Sequence, residues 1–281
     1  MLFAKPIPDR LDRAGCTYEG QFHMNAVERK FMSKRLTILP AIFLAIACLV
    51  SCGSQEEKKM KFYDKAKALY DQGDYVKARL ELSNALQIDP EFTDAYHMLG
   101  MSELKLGNLK KAFALFSKTV ELSPDHQEAH LQLGKLFLLA RELEKAQEKA
   151  DLILTKNPDS QAAKMLQGSI LIGQKKPDKA VALLEQLLKD GADDPEIYLL
   201  LAAAHQQKDE ASKEEQAIKK GIEQHPDYAR YYIYLTRFYA AKKRWPAAIA
   251  VQQQLAALEP ESVEHQINLA NLYWEKGEAD K

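Results

Sequence analysis

Pro90, Pro124 and Pro158 stand 34 residues apart, Pro226 lies 68 beyond Pro158, and Pro260 follows after another 34. Ala192 occupies the one vacant slot. Proline fixes φ and cannot continue a helix, so each of these positions reads as a helix stop. Thr93 to His126 shows what lies between two stops. It reads TDAYHMLGMSELKLGNLKKAFALFSKTVELSPDH, two amphipathic helical segments on either side of Gly107-Asn108. A period of about 34 with two helices per unit is the signature of a helical solenoid. Such a fold grows by stacking units and has no single central core, so the 281-residue length does not divide into globular domains.

Other columns keep the same phase. Small residues recur as Ala66, Gly100, Gly134, Gly168, Ala202, Thr236 and Ala270. A second small column is Ala78, Ala112, Ala146, Ala180, Glu214 and Ala248, and a bulky one is Phe62, Tyr96, His130, Lys164, Tyr198, Tyr232 and Gln266. Small residues let helices approach closely, and aromatic rings fill the gap between units. In these residues the chain resembles the tetratricopeptide repeat (TPR), from Lys59 to Lys281 without insertion or deletion. The resemblance implies an all-α fold, a TPR-type α-solenoid of helix-turn-helix pairs in a right-handed superhelix. Its repeats start at residues 59, 93, 127, 161, 195 and 229, with an incomplete one at 263.

Three positions depart from their columns. Glu214, Lys164 and Gln266 are expected to loosen packing at their junctions. Repeat five is the most degenerate. Its second helix, ASKEEQAIKKGIEQH, is polar and carries Gly221 where a large residue is usual. Glycine inside a helix costs about 1 kcal/mol relative to alanine, so this is the expected weak joint. The last, unfinished repeat leaves Leu269, Leu272 and Tyr273 with one neighbour. Exposed terminal faces invite association, so either the final helix acts as a makeshift cap or the chain is a piece of a longer array, the second being the expectation; a dimer through Leu269 and Leu272 would also cover that face.

The amino-terminal segment follows a different logic. Residues 1–31 show no periodicity and are expected to be a mis-assigned extension, with Met32 or Met24 as the start. Lys34 and Arg35 precede an apolar run of about 15 residues, Leu36 to Val50, which is short of a bilayer span and matches a secretory signal core. It ends in Leu49-Val50-Ser51-Cys52, which resembles a bacterial lipobox. That resemblance implies a signal peptide over 32–51 and lipidation of Cys52, with 52–58 as lipidated cysteine and linker. Multiple acyl chains give stable anchoring. Gly53 after the cysteine favours, by the rule of that family, a periplasm-facing protein on the outer membrane. Cys16 and Cys48 fall in discarded segments, so no disulfide or thiol chemistry is expected.

Composition and motifs narrow the function. A net charge of −1 gives no general pull toward nucleic acid. His126 and His130 are four apart, a spacing that on one helix can hold a metal, but His126 falls in an inter-repeat loop and His130 in the bulky column. Both are expected to be structural. The sequence has no His-Glu-x-x-His, paired-cysteine zinc pattern, glycine-rich phosphate loop or nucleophile elbow. No enzyme activity, cofactor, metal or small-molecule substrate is expected.

The TPR resemblance assigns the concave face to the first helix of each repeat. The inward positions are Tyr63, Lys67, Tyr70, His97, Met101, Leu104, Lys105, Leu131, Lys135, Leu138, Leu139, Met165, Ser169, Ile172, Leu199, Gln206, Ile233 and Arg237. This lining suits a protein or peptide partner with apolar anchors, and acidic residues to meet Lys67, Lys105, Lys135 and Arg237. The competing reading is that many of these residues pack against adjacent helices. Tyr63 and Lys67 stand where the chaperone carboxylate clamp has Lys and Asn, so that mode is not expected. The whole chain resembles bacterial TPR lipoproteins, among them the exosortase-associated (PEP-CTERM system) and pilus-assembly groups. This implies a lipid-anchored, non-enzymatic adaptor in envelope assembly, export, or exopolysaccharide or pilus biogenesis. The alternative is a cell-wall or polysaccharide-binding module, with Tyr232, Tyr234, Tyr239, Trp245 and Trp274 as exposed stacking platforms.

Overall fold

The computed structural model describes residues 54–277. The chain divides into two units, Met1–Glu57 and Lys58–Lys281. The expected extension, the signal peptide and Cys52 lie outside the described residues, as do 278–281. The described residues form thirteen helices and no strand. They are α1 (54–71), α2 (Tyr75–Ile88), α3 (Thr93–Lys105), α4 (Leu109–Leu122), α5 (Gln127–Leu139), α6 (Leu143–Lys156) and α7 (Gln161–Gly173). Then come α8 (Pro177–Lys189), α9 (Glu196–Gln207), α10 (Ala211–Gln224), α11 (Ala229–Ala241), α12 (Trp245–Leu258) and α13 (Val263–Lys276). Odd-numbered helices are the first helices of successive repeats, and even-numbered ones the second.

One boundary differs from expectation. Residues 54–58 are helical, not a loose linker. Gln55, Glu56, Glu57 and Lys58 are good helix formers.

The turn inside every repeat is left-handed. Gly73, Gly107, Arg141, Lys175, Asp209 and Lys243 have φ between 55° and 80°, each 34 residues after the last, and Gly277 continues the series at 84°. Four of these seven positions are not glycine. A non-glycine residue there carries strain of about 1–2 kcal/mol, which the packed helices on either side must hold. The series also marks α13 as the first helix of a seventh repeat.

The small columns do what their size allows. Ala66, Ala78, Ala112, Ala146, Ala180, Ala202 and Ala248 are completely buried. Glu214 breaks the second column without opening it. It is buried, and the Tyr234 hydroxyl donates to its Oε1 at 2.8 Å. The expected loosening at this junction is therefore replaced by a specific polar pair. Lys164 is half-buried and reaches Asp159 at 3.7 Å, while Gln266 is exposed.

The apolar core is unevenly divided. Ala66, Leu82, Ala95 and Leu99 form one small cluster, Ala112, Phe116 and Leu133 a second, and Ala146, Ala150, Leu166 and Ile170 a third. From Leu184 to Leu272 the buried residues merge into one continuous cluster that includes Ile197, Ile218, Tyr231, Leu235 and Leu255. The expected weak joint lies inside it. A Cβ on Gly221 would stand 2.6 Å from the Tyr231 ring, so glycine is there because the ring fills that space. Tyr231 is fully buried and its hydroxyl donates to the Pro195 carbonyl at 2.7 Å.

Curvature follows from the packing order. First helices touch across repeats, α5 with α7 and α7 with α9, whereas no two second helices pack comparably. The side formed by first helices is therefore the inner one.

Candidate functional site

The inner face is built from one side of each first helix, presented at intervals of 34 residues. Lys67, Lys105, Lys135 and Arg237 are exposed on it. Tyr63, Tyr70, His97, Met101, Leu104, Leu131, Leu138, Met165, Ile172, Leu199 and Ile233 are half-buried.

Two subsets of the sequence-predicted residues are gathered around cavities. Lys135, Leu138 and Met165 line one of about 370 Å³, closed by Asp194, Glu196 and Arg230. Ile233 and Arg237 line another of about 800 Å³ between α9, α10 and α11, together with Gln206, Glu214, Tyr234 and Phe238. A third, of about 430 Å³, shares Ile233 and Arg237 and runs to His265 and Asn271 on α13. Arg237 thus stands between two cavities and forms no hydrogen bond or ion pair among the described residues.

Ser169 also lines the first cavity; the other predicted residues line none of the three, and several are occupied in packing. The Tyr63 ring lies 4.9 Å from that of Phe92, and Tyr70 lies 5.1 Å from Tyr75. Met101 and Leu104 pack on the Phe116 cluster, Leu131 on the cluster of Ala146, Ala150, Leu166 and Ile170, and Leu199 on the large carboxy-terminal cluster. Gln207 donates to the carbonyl of Ile172 at 2.9 Å. His97 sits 4.8 Å from the His126 ring, and burial, reinforced by His126, lowers its pKa so that the neutral form is favoured. For these positions the packing reading describes their contacts better than a free lining. Lys67 and Lys105 remain exposed cations away from the cavities.

Some cavity residues escaped sequence reasoning. Arg230 is held by Glu196, which also accepts from the Tyr228 hydroxyl. Lys242 lies 4.9 Å over the Phe238 ring. Tyr234 is kept protonated by burial first and then by its hydrogen bond to Glu214. Glu214 in an alanine column was the available signal, and it pointed to a partner, not to a defect.

The two histidines flagged for metal spacing are separately engaged. His126 Nδ1 accepts from the Ala129 N–H at 3.2 Å as a helix cap, and His130 Nε2 lies 2.8 Å from the Pro124 carbonyl. Among the described residues no group of three or more His, Cys, Asp or Glu is placed to hold a metal. Nor is any helix among them long and apolar enough to cross a membrane. The rings considered as stacking platforms are mostly spent inside. Tyr232 and Tyr239 are buried, Tyr234 and Trp245 half-buried, and only Trp274 of the five is largely exposed, at 70%.

Two tetratricopeptide repeat family models match the sequence, one over residues 103–170 and 171–237, the other over 63–127. The chain belongs to the tetratricopeptide repeat family. Similar solved structures carry the same architecture. One is the APC/C hetero-tetramer Cut9–Hcn1, at 16% identity and a TM-score of 0.62, covering 77% of this chain and 43% of that one. PilW, titled a widely conserved type IV pilus biogenesis factor, matches at 20% identity and 0.61, covering 75% of this chain and 98% of its own. The pilF protein of Pseudomonas aeruginosa matches at 20% identity and 0.55, covering 78% and 99%. At these identities the likeness concerns the fold, and this chain spans less than half the length of the Cut9–Hcn1 chain. No curated protein matches the sequence significantly. TPR arrays generally serve as non-catalytic scaffolds for protein interaction, and this array has the inner face such a role requires.

Proposed function

We propose that this TPR protein is a lipid-anchored adaptor that holds an extended or helical segment of a protein partner along its inner face. Anchoring is through Cys52, facing the periplasm, with the outer membrane as the favoured site. The role is in envelope assembly, export, or exopolysaccharide or pilus biogenesis, in the company of TPR lipoproteins such as the exosortase-associated group. The observation that carries this reading is the placement of Arg237. It is an exposed guanidinium on α11, without a hydrogen-bond or ion-pair partner among the described residues, between two cavities whose mixed linings include Ile233, Phe238 and Leu272. Arginine is well suited to bidentate capture of a carboxylate, and the cavities beside it suit apolar anchors. Lys135, another exposed cation, lines a single cavity beside Leu138 and Met165, two repeats earlier on the inner face than the α9–α11 cavity begins.

Charge reversal at these two positions tests the reading. Both side chains are exposed, so Lys135→Glu and Arg237→Glu are expected to leave the fold intact. Partners cross-linked to the native protein in membranes should be lost from the double variant. Retention of the same partners at native yield would contradict the groove. Leu131 and Leu138 are poorer probes, because both pack on the cluster of Ala146, Ala150, Leu166 and Ile170.

A further inference from the structure

Where α11, α12 and α13 meet, three apolar core columns turn polar together. Thr236 stands where earlier repeats have Ala66, Gly100, Gly134, Gly168 and Ala202. Gln252 stands where they have Leu82, Phe116, Ala150, Leu184 and Ile218, and His265 where they have Ala95, Ala129, Ala163, Ile197 and Tyr231. Those earlier residues are buried, and so are the three that replace them. Burying a polar group without a hydrogen bond is costly, so three at one junction call for a reason.

Their hydrogen bonds are incomplete. Gln252 donates to the His265 carbonyl at 3.1 Å. His265 Nε2 lies 2.8 Å from Glu259 Oε2. A carboxylate only accepts, so Nε2 carries the proton, and Nδ1 of the neutral ring is left as an acceptor. That Nδ1 and Thr236 Oγ1 are both buried without a hydrogen-bond partner. Among the described residues four other buried side-chain atoms share this condition, but their residues line none of the three cavities. Thr236 and His265 line the same one, the cavity of about 430 Å³.

The chemistry of the lining selects the ligand. His265 Nδ1 needs a donor, and the Thr236 hydroxyl both donates and accepts. An ammonium cannot accept and a carboxylate cannot donate, so a hydroxyl answers both demands. Arg237, Glu264, Asn268, Asn271 and Glu275 are exposed along the same cavity. Planar guanidinium, carboxylate and amide groups each meet neighbouring hydroxyls two bonds at a time. The half-buried Trp245 ring adds an apolar wall for C–H groups. A cavity of this size suits a small ligand. We infer that the α11–α13 cavity binds a sugar unit through its hydroxyls. A serine or threonine of a peptide offers one hydroxyl, and this lining calls for several. The inference goes beyond the inner-face reading and stands without it. It also differs from stacking on exposed rings, because the groups that carry it are buried.

Thermal unfolding of the full chain in a sugar-free detergent tests it. The probes are glucose, galactose, mannose, N-acetylglucosamine and glucuronic acid, with their methyl glycosides. Concentrated sugars stabilise any fold by exclusion, so only a saturable rise in the midpoint counts. At least one probe is expected to produce it. Thr236→Val keeps the side chain's shape and removes the hydroxyl. Because that hydroxyl has no partner in the free protein, the variant should unfold at an equal or higher temperature without sugar, yet bind about three- to tenfold more weakly. Asn271→Ala, at an exposed site, should leave the sugar-free midpoint unchanged and weaken binding about threefold. No saturable rise with any probe would overturn the inference and leave a cavity that holds only water. So would native affinity in both variants, or a serine-containing peptide that raises the midpoint when no sugar does.

Discussion

The two halves of this array solve the same packing problem differently. In the first three repeats each junction has its own small cluster of buried residues, and no buried apolar set runs through all of them. From α8 onward the clusters merge, and polar ties are added across repeats. Tyr231 reaches back to Pro195, Tyr234 and Tyr239 reach Glu214 and Glu215, and Arg244 reaches Glu215 at 2.7 Å. A solenoid's stability is approximately a sum of repeat and nearest-neighbour terms, so better junctions make a stiffer segment. The stiffer half is also where the two larger of the three cavities described above lie. Pre-organised sites lose less entropy on binding, which gives the uneven core a functional sense.

Substitutions can break this contrast. The largest expected effect is Tyr231→Ala, which removes a fully buried ring from the continuous cluster and its bond to Pro195. It should cost about 3–5 kcal/mol in denaturant unfolding. Gly221→Ala comes next, and its sign is informative. Helix propensity alone would make alanine stabilising, but contact with the Tyr231 ring at 2.6 Å makes it destabilising by about 1–3 kcal/mol. A stabilised Gly221→Ala protein would restore the view of repeat five as a loose joint.

Acid separates the halves by pH. Burial lowers the His97 pKa from 6.5, so the neutral ring is the form the fold prefers. Its contribution is full above about pH 6.5 and is lost as the pH falls below that value. Glu215 is the opposite chemical type. Burial pushes its carboxyl up, but hydrogen bonds from Lys219, Tyr239 and Arg244 outweigh burial and hold it at about 2 against an ordinary 4.5. Its contribution is full above about pH 5 and disappears between 4.5 and 2. Hydrogen exchange followed from pH 7 to pH 3 should therefore show α3 loosening before α10 and α11. Glu215→Gln should flatten the lower transition and leave the upper one unchanged.

A smaller effect concerns the left-handed turns. Lys243→Gly relieves a residue held at φ 55° and should stabilise by about 1 kcal/mol, measured as a rise in the unfolding midpoint. Gly107→Ala, at φ 78° in the other half, should destabilise by a similar amount.

Most of the fold was legible because a solenoid writes its geometry into one repeated spacing. The 34-residue phase located the helix pairs, and the alanine columns located the closest helix contacts. The strained turns were not legible, because Arg141, Lys175 and Lys243 carry no local signal for positive φ. Gly221 and Glu214 were misread for one reason. Each looks like a defect when its own helix is considered, and each is matched by a tyrosine on α11 that only the folded array brings near. The inner face was legible as a set of positions. Which of those positions keep a free side chain was not, because half-burial against a neighbouring helix leaves the spacing unchanged.

The claim that the inner face holds a protein partner is tested most directly by site-specific photo-cross-linking in living cells. A photoreactive residue is placed at Arg237 or Lys135 on the inner face, and at Ala182 or Ala250 on the exposed outer side of α8 and α12. The account predicts discrete protein adducts from Arg237 and Lys135 and none from the outer pair. Adducts that form at Ala182 and Ala250 while the inner positions stay silent would contradict it.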